Sequence, residues 1–289
     1  MSEVRPATLP ELLTLERLER DLFRGRSRHD GLPQLFGGQV VAQALLAASA
    51  TVDSERPPNS LHAYFLRPGD ASRPIVYEVE RSRDGSRFAS RNVQAIQDGE
   101  VILSLMASFH IIEEGFERHP EFPVVPAPET LTPAHELYEA WNNGPKDQPP
   151  GLLGLFALAQ RVGIEIRPVP ASVPNQPTQQ LWLRYADCAS APPLMHLAVL
   201  AYASDFGLLG TAKLQHGGWF GQPDMVTASL DHALWFHRAA RVDDWLLYCM
   251  DTPTAFGARG SARGLIYDRH GQLLASVAQE GLMRPRRVV

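Results

Sequence analysis

FGGQVVAQALLAASATV, residues 36–52, is the stretch on which the fold turns. It contains no charged residue, and its apolar side chains cover far more than one stripe. Such a segment reads as a helix buried on most of its faces, not as an amphipathic surface helix. The next segments have a different texture: LHAYFLRPG (61–69), IVYEVERSRDG (75–85), RFASRNVQAIQDG (87–99) and EVILSLMASFH (100–110). They are rich in β-branched and aromatic residues, and their Asp-Gly steps suit tight hairpins. The first half therefore reads as one buried helix and then a run of antiparallel strands.

The second half repeats that order. PPLMHLAVLAYASDFG (192–207) is again an apolar helix, opened by Pro192 and Pro193. SLDHALWFH, DWLLYCMDT, GSARGLIYDRHG and QLLASVAQEGLMR then read as strands. An offset of 172 pairs Gly99 with Gly271, Arg91 with Arg263 and Ser104 with Ser276; an offset of 170 pairs His62-Ala63 with His232-Ala233. The shared order of elements carries more weight than these few identities. A buried helix wrapped by antiparallel strands is the hotdog arrangement. Two copies predict an α+β double hotdog, two helix-wrapped antiparallel sheets in one chain.

Proline marks the division. Of 24 prolines, 12 lie between Pro120 and Pro177, where a missing backbone donor and a fixed φ suit neither helix interiors nor central strands. The sequence thus predicts an N-terminal hotdog over 1–115, a proline-rich connector over 116–178 and a C-terminal hotdog over 179–289. Within the connector, GLLGLFALAQRVGIEI can form a short element.

Composition narrows the function. A chain of 289 residues, 44% hydrophobic and 20% charged, is ordinary for a globular protein. A net charge of −5 argues against a generic nucleic-acid binder, although a local group of arginines can still hold phosphate. Cys188 and Cys249 form no CxxC pair and read as two buried free thiols, with a disulfide as the alternative. The opening MSEVRPATLPELLTLERLERDLF mixes acids and arginines and reads as a surface helix after Pro10, not as a signal peptide. No uninterrupted apolar stretch spans a membrane, and the terminal Arg-Val-Val is not a peroxisomal address, so a cytoplasmic protein without a membrane partner is expected.

No GxSxG elbow, P-loop, GxGxxG or HExxH occurs. His232 and His237 are five apart, which puts them on opposite faces of a strand; they read as structural or surface histidines, and no metal site is expected. Asp205 stands out as the only charged side chain from Cys188 to Ala212, near the end of an apolar helix. The helix C-terminus disfavours a carboxylate there, and desolvation raises its basicity. It reads either as a base or as a solvent-facing turn residue before Gly207. Ser229 lies on a strand with Thr227 and Asp231 on its face. Gln279 shares a face with Ala275 and Val277, and a buried amide there needs partners that a nearby carboxylate can supply. Singly each is more often structural. Together the three make one base and two groups able to hold a water or polarise a carbonyl.

LFRGRS, FGGQVVAQAL, LHAYFLRPGD, SLDHALWFHR, DWLLY and ARGSARGLIYDRHGQLLASVAQEGLMR resemble the bacterial acyl-CoA thioesterase II family of double-hotdog enzymes over nearly the whole chain. In that family an Asp, a Thr or Ser, and a Gln activate a water. The matching positions are Asp205, Ser229 in ASLDH and Gln279 in ASVAQEG; the best-known bacterial members have Thr at the position of Ser229. The resemblance implies hydrolysis of acyl-CoA to fatty acid and CoA, no bound cofactor, no acyl-enzyme and a homo-oligomer formed through the sheets. Arg67, Arg87, Arg91, Arg238 and Arg263 are the candidate cations for the nucleotide phosphates. A hotdog 2-enoyl-CoA hydratase and a non-catalytic acyl-CoA binder are the alternatives; the hydratase needs an Asp and a His, yet Gly210 and Phe236 stand five residues after Asp205 and Asp231. One site per chain is expected: Gly37 to Val52 has no acid, the 172 offset sets Ala107 opposite Gln279, and the 170 offset sets Asn59 opposite Ser229.

Overall fold

The computed structural model describes residues 8–28, 34–145, 152–171, 178–214, 216 and 225–286. The first residues of the chain and the terminal Arg-Val-Val lie outside them. Two units make up the chain, Met1–Glu114 and Gly115–Val289.

The first unit opens with α1 (Leu9–Leu13), much shorter than the surface helix expected there. A Thr8–Glu11 capping box starts it, and Leu9, Leu12 and Leu13 are buried. The charged LERLER segment instead enters a hairpin, β1 (Glu16–Glu19) and β2 (Leu22–Gly25), in which Glu16 and Arg24 pair across the strands. The decisive stretch forms α2 (Gly37–Ser49), buried on nearly all sides. Gln43 is fully buried in it, so its amide must be satisfied. Its Nε2 donates to the carbonyls of Leu12 and Arg26 (2.6 and 2.9 Å), and its Oε1 accepts from the Tyr77 hydroxyl (2.7 Å).

β3 (Pro58–Phe65), β4 (Ile75–Asp84), β5 (Phe88–Gln97) and β6 (Glu100–His110) pack against α2. The antiparallel order is β1-β2-β4-β5-β6-β3. The expected Asp-Gly hairpin joins β5 to β6, with Asp98 and Gly99 at φ of 54° and 78°.

The second unit contains α3 (Ala134–Asn143), α4 (Leu153–Ala159), β7 (Glu165–Pro168) and β8 (Thr178–Arg184) within or at the end of the proline-rich stretch. That stretch is packed, not free: Phe122 lies edge-on to Tyr267 at 5.6 Å, and the Trp182 indole donates to the Pro126 carbonyl at 3.0 Å. α5 (Pro193–Ala203) and α6 (Leu208–Leu214) come next, then β9 (Met225–Ser229), β10 (Asp231–Phe236), β11 (Leu246–Phe256), β12 (Arg259–Asp268) and β13 (Leu273–Pro285). The antiparallel order is β7-β8-β11-β12-β13-β10, with β9 also on β13. Strand for strand, this reproduces the order of the first unit. Pro193–Leu214 is long and apolar enough to cross a membrane by length and composition, but most of it is buried in the protein and a turn at Asp205–Gly207 breaks it.

Cys188 and Cys249 are both free; Cys188 is buried and Cys249 partly so. Burial pushes both thiols up to about 11, where little thiolate forms at neutral pH.

Candidate active site

The site begins where α5 ends. Ser204 caps the helix, its N–H donating to the Leu200 carbonyl at 2.8 Å, and the buried Tyr248 hydroxyl donates to the Ser204 carbonyl at 2.8 Å. That bond satisfies a carbonyl the helix leaves open. Asp205 is the next residue, and the chain reverses at Gly207, whose φ is +84°. A Cβ at Gly207 would lie 2.9 Å from Cε1 of Phe156. Gly207→Ala therefore combines left-handed strain of roughly 1–2 kcal/mol with a clash. A lower melting temperature and reduced turnover are expected, because the displaced turn carries Asp205. Unchanged turnover and melting would show that the turn is not fixed in this way.

Asp205 is a turn residue, but not a solvent-facing one: its side chain keeps 8% exposure. It lies between the C-terminus of α5 and the N-terminus of α6. The two helix ends act on its charge with opposite signs, so the penalty expected from α5 alone is offset. Burial, reinforced by the charge of Asp205, pushes the Tyr248 phenol well above its usual range.

β13 supplies the partner. Ala275, Val277 and Gln279 are all buried on one face, and Gln279 Nε2 donates to Asp205 Oδ1 at 2.7 Å. The same nitrogen lies 3.3 Å from His232 Nδ1, and His232 Nε2 lies 2.8 Å from Ser204 Oγ. Ser204 Oγ also donates to the Ala201 carbonyl at 2.8 Å. Burial drops His232 to about 4, so the ring is neutral at pH 7.

One proton assignment fits this chain of contacts. The carboxylate accepts only, so Gln279 must present its NH₂. Nδ1 of His232 then accepts, Nε2 carries the ring proton, and Ser204 accepts from it while donating to Ala201. Gln279 Oε1 remains, buried and without a hydrogen-bond partner among the described residues. An unsatisfied buried carbonyl is uncommon and points to a working group. Ser204, His232 and Asp205 together look like a nucleophile triad, but the geometry is wrong. Ser204 is wholly buried, and Asp205 is 3.9 Å from Nδ1, with the Gln279 amide bonded to both.

Ser229 reaches the same sheet face by register. It pairs with Gly281, two residues beyond Gln279, a diagonal neighbour at about 7–8 Å. Its hydroxyl makes no hydrogen bond within the described residues. Asp231 does not continue this face as expected. The ladder shifts between Ser229↔Gly281 and Ala233↔Ala278, and the extra residue turns His232 inward instead. The Asp231 carboxylate accepts from the Glu280 N–H at 2.6 Å beside the bulge. His232 is therefore part of the cluster, whereas His237 is exposed and bonded to Ser276 Oγ at 2.8 Å.

The first unit has a different filling. Ala107 pairs with Arg91 on one side and Leu61 on the other. Gln279 pairs with Ala262, so the ladder counterpart of Arg91 is Ala262 and not Arg263. One residue of slip exchanges the faces. Arg91 is 1% exposed and Arg263 is 64% exposed. All the guanidinium nitrogens of Arg91 are engaged, by Thr51, Arg83, Ser90 and Asp84, which removes it from the phosphate candidates. Arg67, Arg87, Arg238 and Arg263 each have an acidic neighbour and remain more open to solvent.

Residues 26–110 match a family model described as the acyl-CoA thioesterase N-terminal domain, and residues 158–282 match the acyl-CoA thioesterase model. Over 290 residues the chain is 40% identical to acyl-coenzyme A thioesterase 8 of Homo sapiens, covering 98% of this chain and 90% of the relative. It is 38% identical to acyl-CoA thioesterase 2 of Haemophilus influenzae, covering 96% of each. The crystal structure of an acyl-CoA thioesterase II from Mycobacterium marinum superposes with a TM-score of 0.79 at 37% identity, covering 96% of this chain and 99% of that one. Two helix-and-sheet units of like topology, matched by thioesterase models and by a solved thioesterase II, are those of a double-hotdog thioester hydrolase. The chain belongs to the acyl-CoA thioesterase family.

Proposed function

We propose that Asp205 is the general base of this hydrolase and that Gln279 and Ser229 hold the water it activates. Asp205 takes one proton as the water oxygen bonds to the thioester carbonyl carbon. Collapse of the tetrahedral intermediate breaks the C–S bond and releases CoA as a thiolate, a good leaving group that needs no strong acid. The acid product leaves without having been attached to the protein. The observation that carries this reading is the 2.7 Å bond between Gln279 Nε2 and Asp205, with Gln279 Oε1 left open. Both N–H groups of the amide are engaged, so Gln279 acts on the water through its oxygen and not on the oxyanion through its nitrogen. The net charge of −5 supports the absence of a nucleic-acid partner, and the burial of Pro193–Leu214 supports the absence of a membrane partner; a cytoplasmic homo-oligomer is part of the same proposal.

Ser229→Ala and Gln279→Ala test the assignment by thiol release from a long-chain acyl-CoA. Each should lower kcat by about 10–100-fold with a much smaller change in KM, as for groups that act on the attacking water. A rise in KM at unchanged kcat would instead make them substrate-binding residues.

A further inference from the structure

We propose that His232 is a positioning residue for hydrolysis, held by Ser204 so that it fixes the orientation of the Gln279 amide. This role rests on the proposed functions of Asp205 and Gln279 and adds a residue to them. A glutamine amide can turn over, exchanging its oxygen and nitrogen. If Gln279 turned, its oxygen would face the Asp205 carboxylate, and its NH₂ would take the place of the oxygen that receives the water. Asp205 alone opposes this with one hydrogen bond. His232 adds the second: its Nδ1 accepts from the other Gln279 N–H at 3.3 Å. The turned amide would then lose two bonds and gain two contacts between acceptors.

For Nδ1 to accept, the ring proton must be on Nε2, and Ser204 ensures this. Its own proton is committed to the Ala201 carbonyl, so toward His232 it presents lone pairs at 2.8 Å. Tyr248 holds the same residue by its carbonyl. The ring is 1% exposed and is screened from solvent, and its depressed basicity keeps Nδ1 free of a proton at neutral pH. Because it works through Gln279, His232 need not touch the substrate.

The test combines His232→Leu and His232→Asn, each in the native background and with Gln279→Ala. Asn can place its Oδ1 where Nδ1 lies and keep the acceptor; Leu cannot. His232→Leu should lower kcat about tenfold with KM nearly unchanged, and His232→Asn should recover most of that loss. In the Gln279→Ala background, His232→Leu should add almost nothing, since the amide it orients is gone. In the unsubstituted protein, the imidazole ¹⁵N shifts should report the neutral Nε2–H tautomer, a readout independent of whether any variant folds. The inference is overturned by full activity of His232→Leu, by losses that multiply with Gln279→Ala, or by an Nδ1–H tautomer. Full activity of Asp205→Asn and Gln279→Ala would instead sink the underlying reading of the site.

Discussion

Asp205→Asn is expected to lower kcat by about 10²–10⁴-fold, the usual contribution of a positioned general base, and to leave the fold intact. The substitution is nearly isosteric, and its oxygen can still accept from Gln279 Nε2, now 2.7 Å from the carboxylate. Only the basic oxygen is lost. Steady-state thiol release, with a melting curve on the same preparation, checks both parts of the expectation. Turnover near the native level in a well-folded variant would remove Asp205 from the chemistry.

The second large effect concerns stability. Arg91→Met fills a similar volume but removes every donor from a wholly buried guanidinium. Thr51 Oγ1 and the carbonyls of Thr51, Arg83 and Ser90 lose bonds of 2.7 to 3.0 Å, and Asp84 loses its ion partner. Each of these acceptors that stays buried without a donor costs about 1–3 kcal/mol, whereas the Asp84 side chain, 52% exposed, can turn to water. Whole domains are stable by only about 5–15 kcal/mol. Urea unfolding should therefore show a strongly lowered midpoint. A loss below about 1 kcal/mol, no more than one ordinary hydrogen bond, would mean that the cluster is not a structural tie.

Much of the fold is readable from period and punctuation. Residues 36–52 are apolar all round and become α2; the strands after them alternate and become β3 to β6. The repeat is equally legible as an order of elements, since β10 to β13 come after α5 as β3 to β6 come after α2. It is not legible to the single residue. Arg91 and Arg263 match as letters, yet one is buried and the other exposed, because facing depends on a one-residue register that offsets do not resolve. Within the proline-rich stretch, GLLGLFALAQRVGIEI is legible as a short element and becomes α4 and the start of β7, whereas α3 is hidden because its short length leaves little periodic signal.

The site divides in the same way. Asp205 is visible as the lone charge in an apolar segment, and Gln279 as an amide on an otherwise apolar strand face. Their bond is a tertiary fact between residues 74 positions apart. Strand alternation from Ser229 selects Asp231 and misses His232; only the bulge between β9 and β10 brings the imidazole round. The histidine in SLDH, directly after the Ser229 strand, is the available signal. Nothing in the local sequence announces the slip that uses it.

Single-turnover hydrolysis in H₂¹⁸O, with enzyme in excess over an acyl-CoA, tests the central claim most directly. If Asp205 activates water, one ¹⁸O appears in the released acid, none enters the Asp205 carboxylate, and no acylated protein is trapped by rapid quench. Label in Asp205, or an acyl adduct on Asp205, Ser229 or any other side chain, would contradict it.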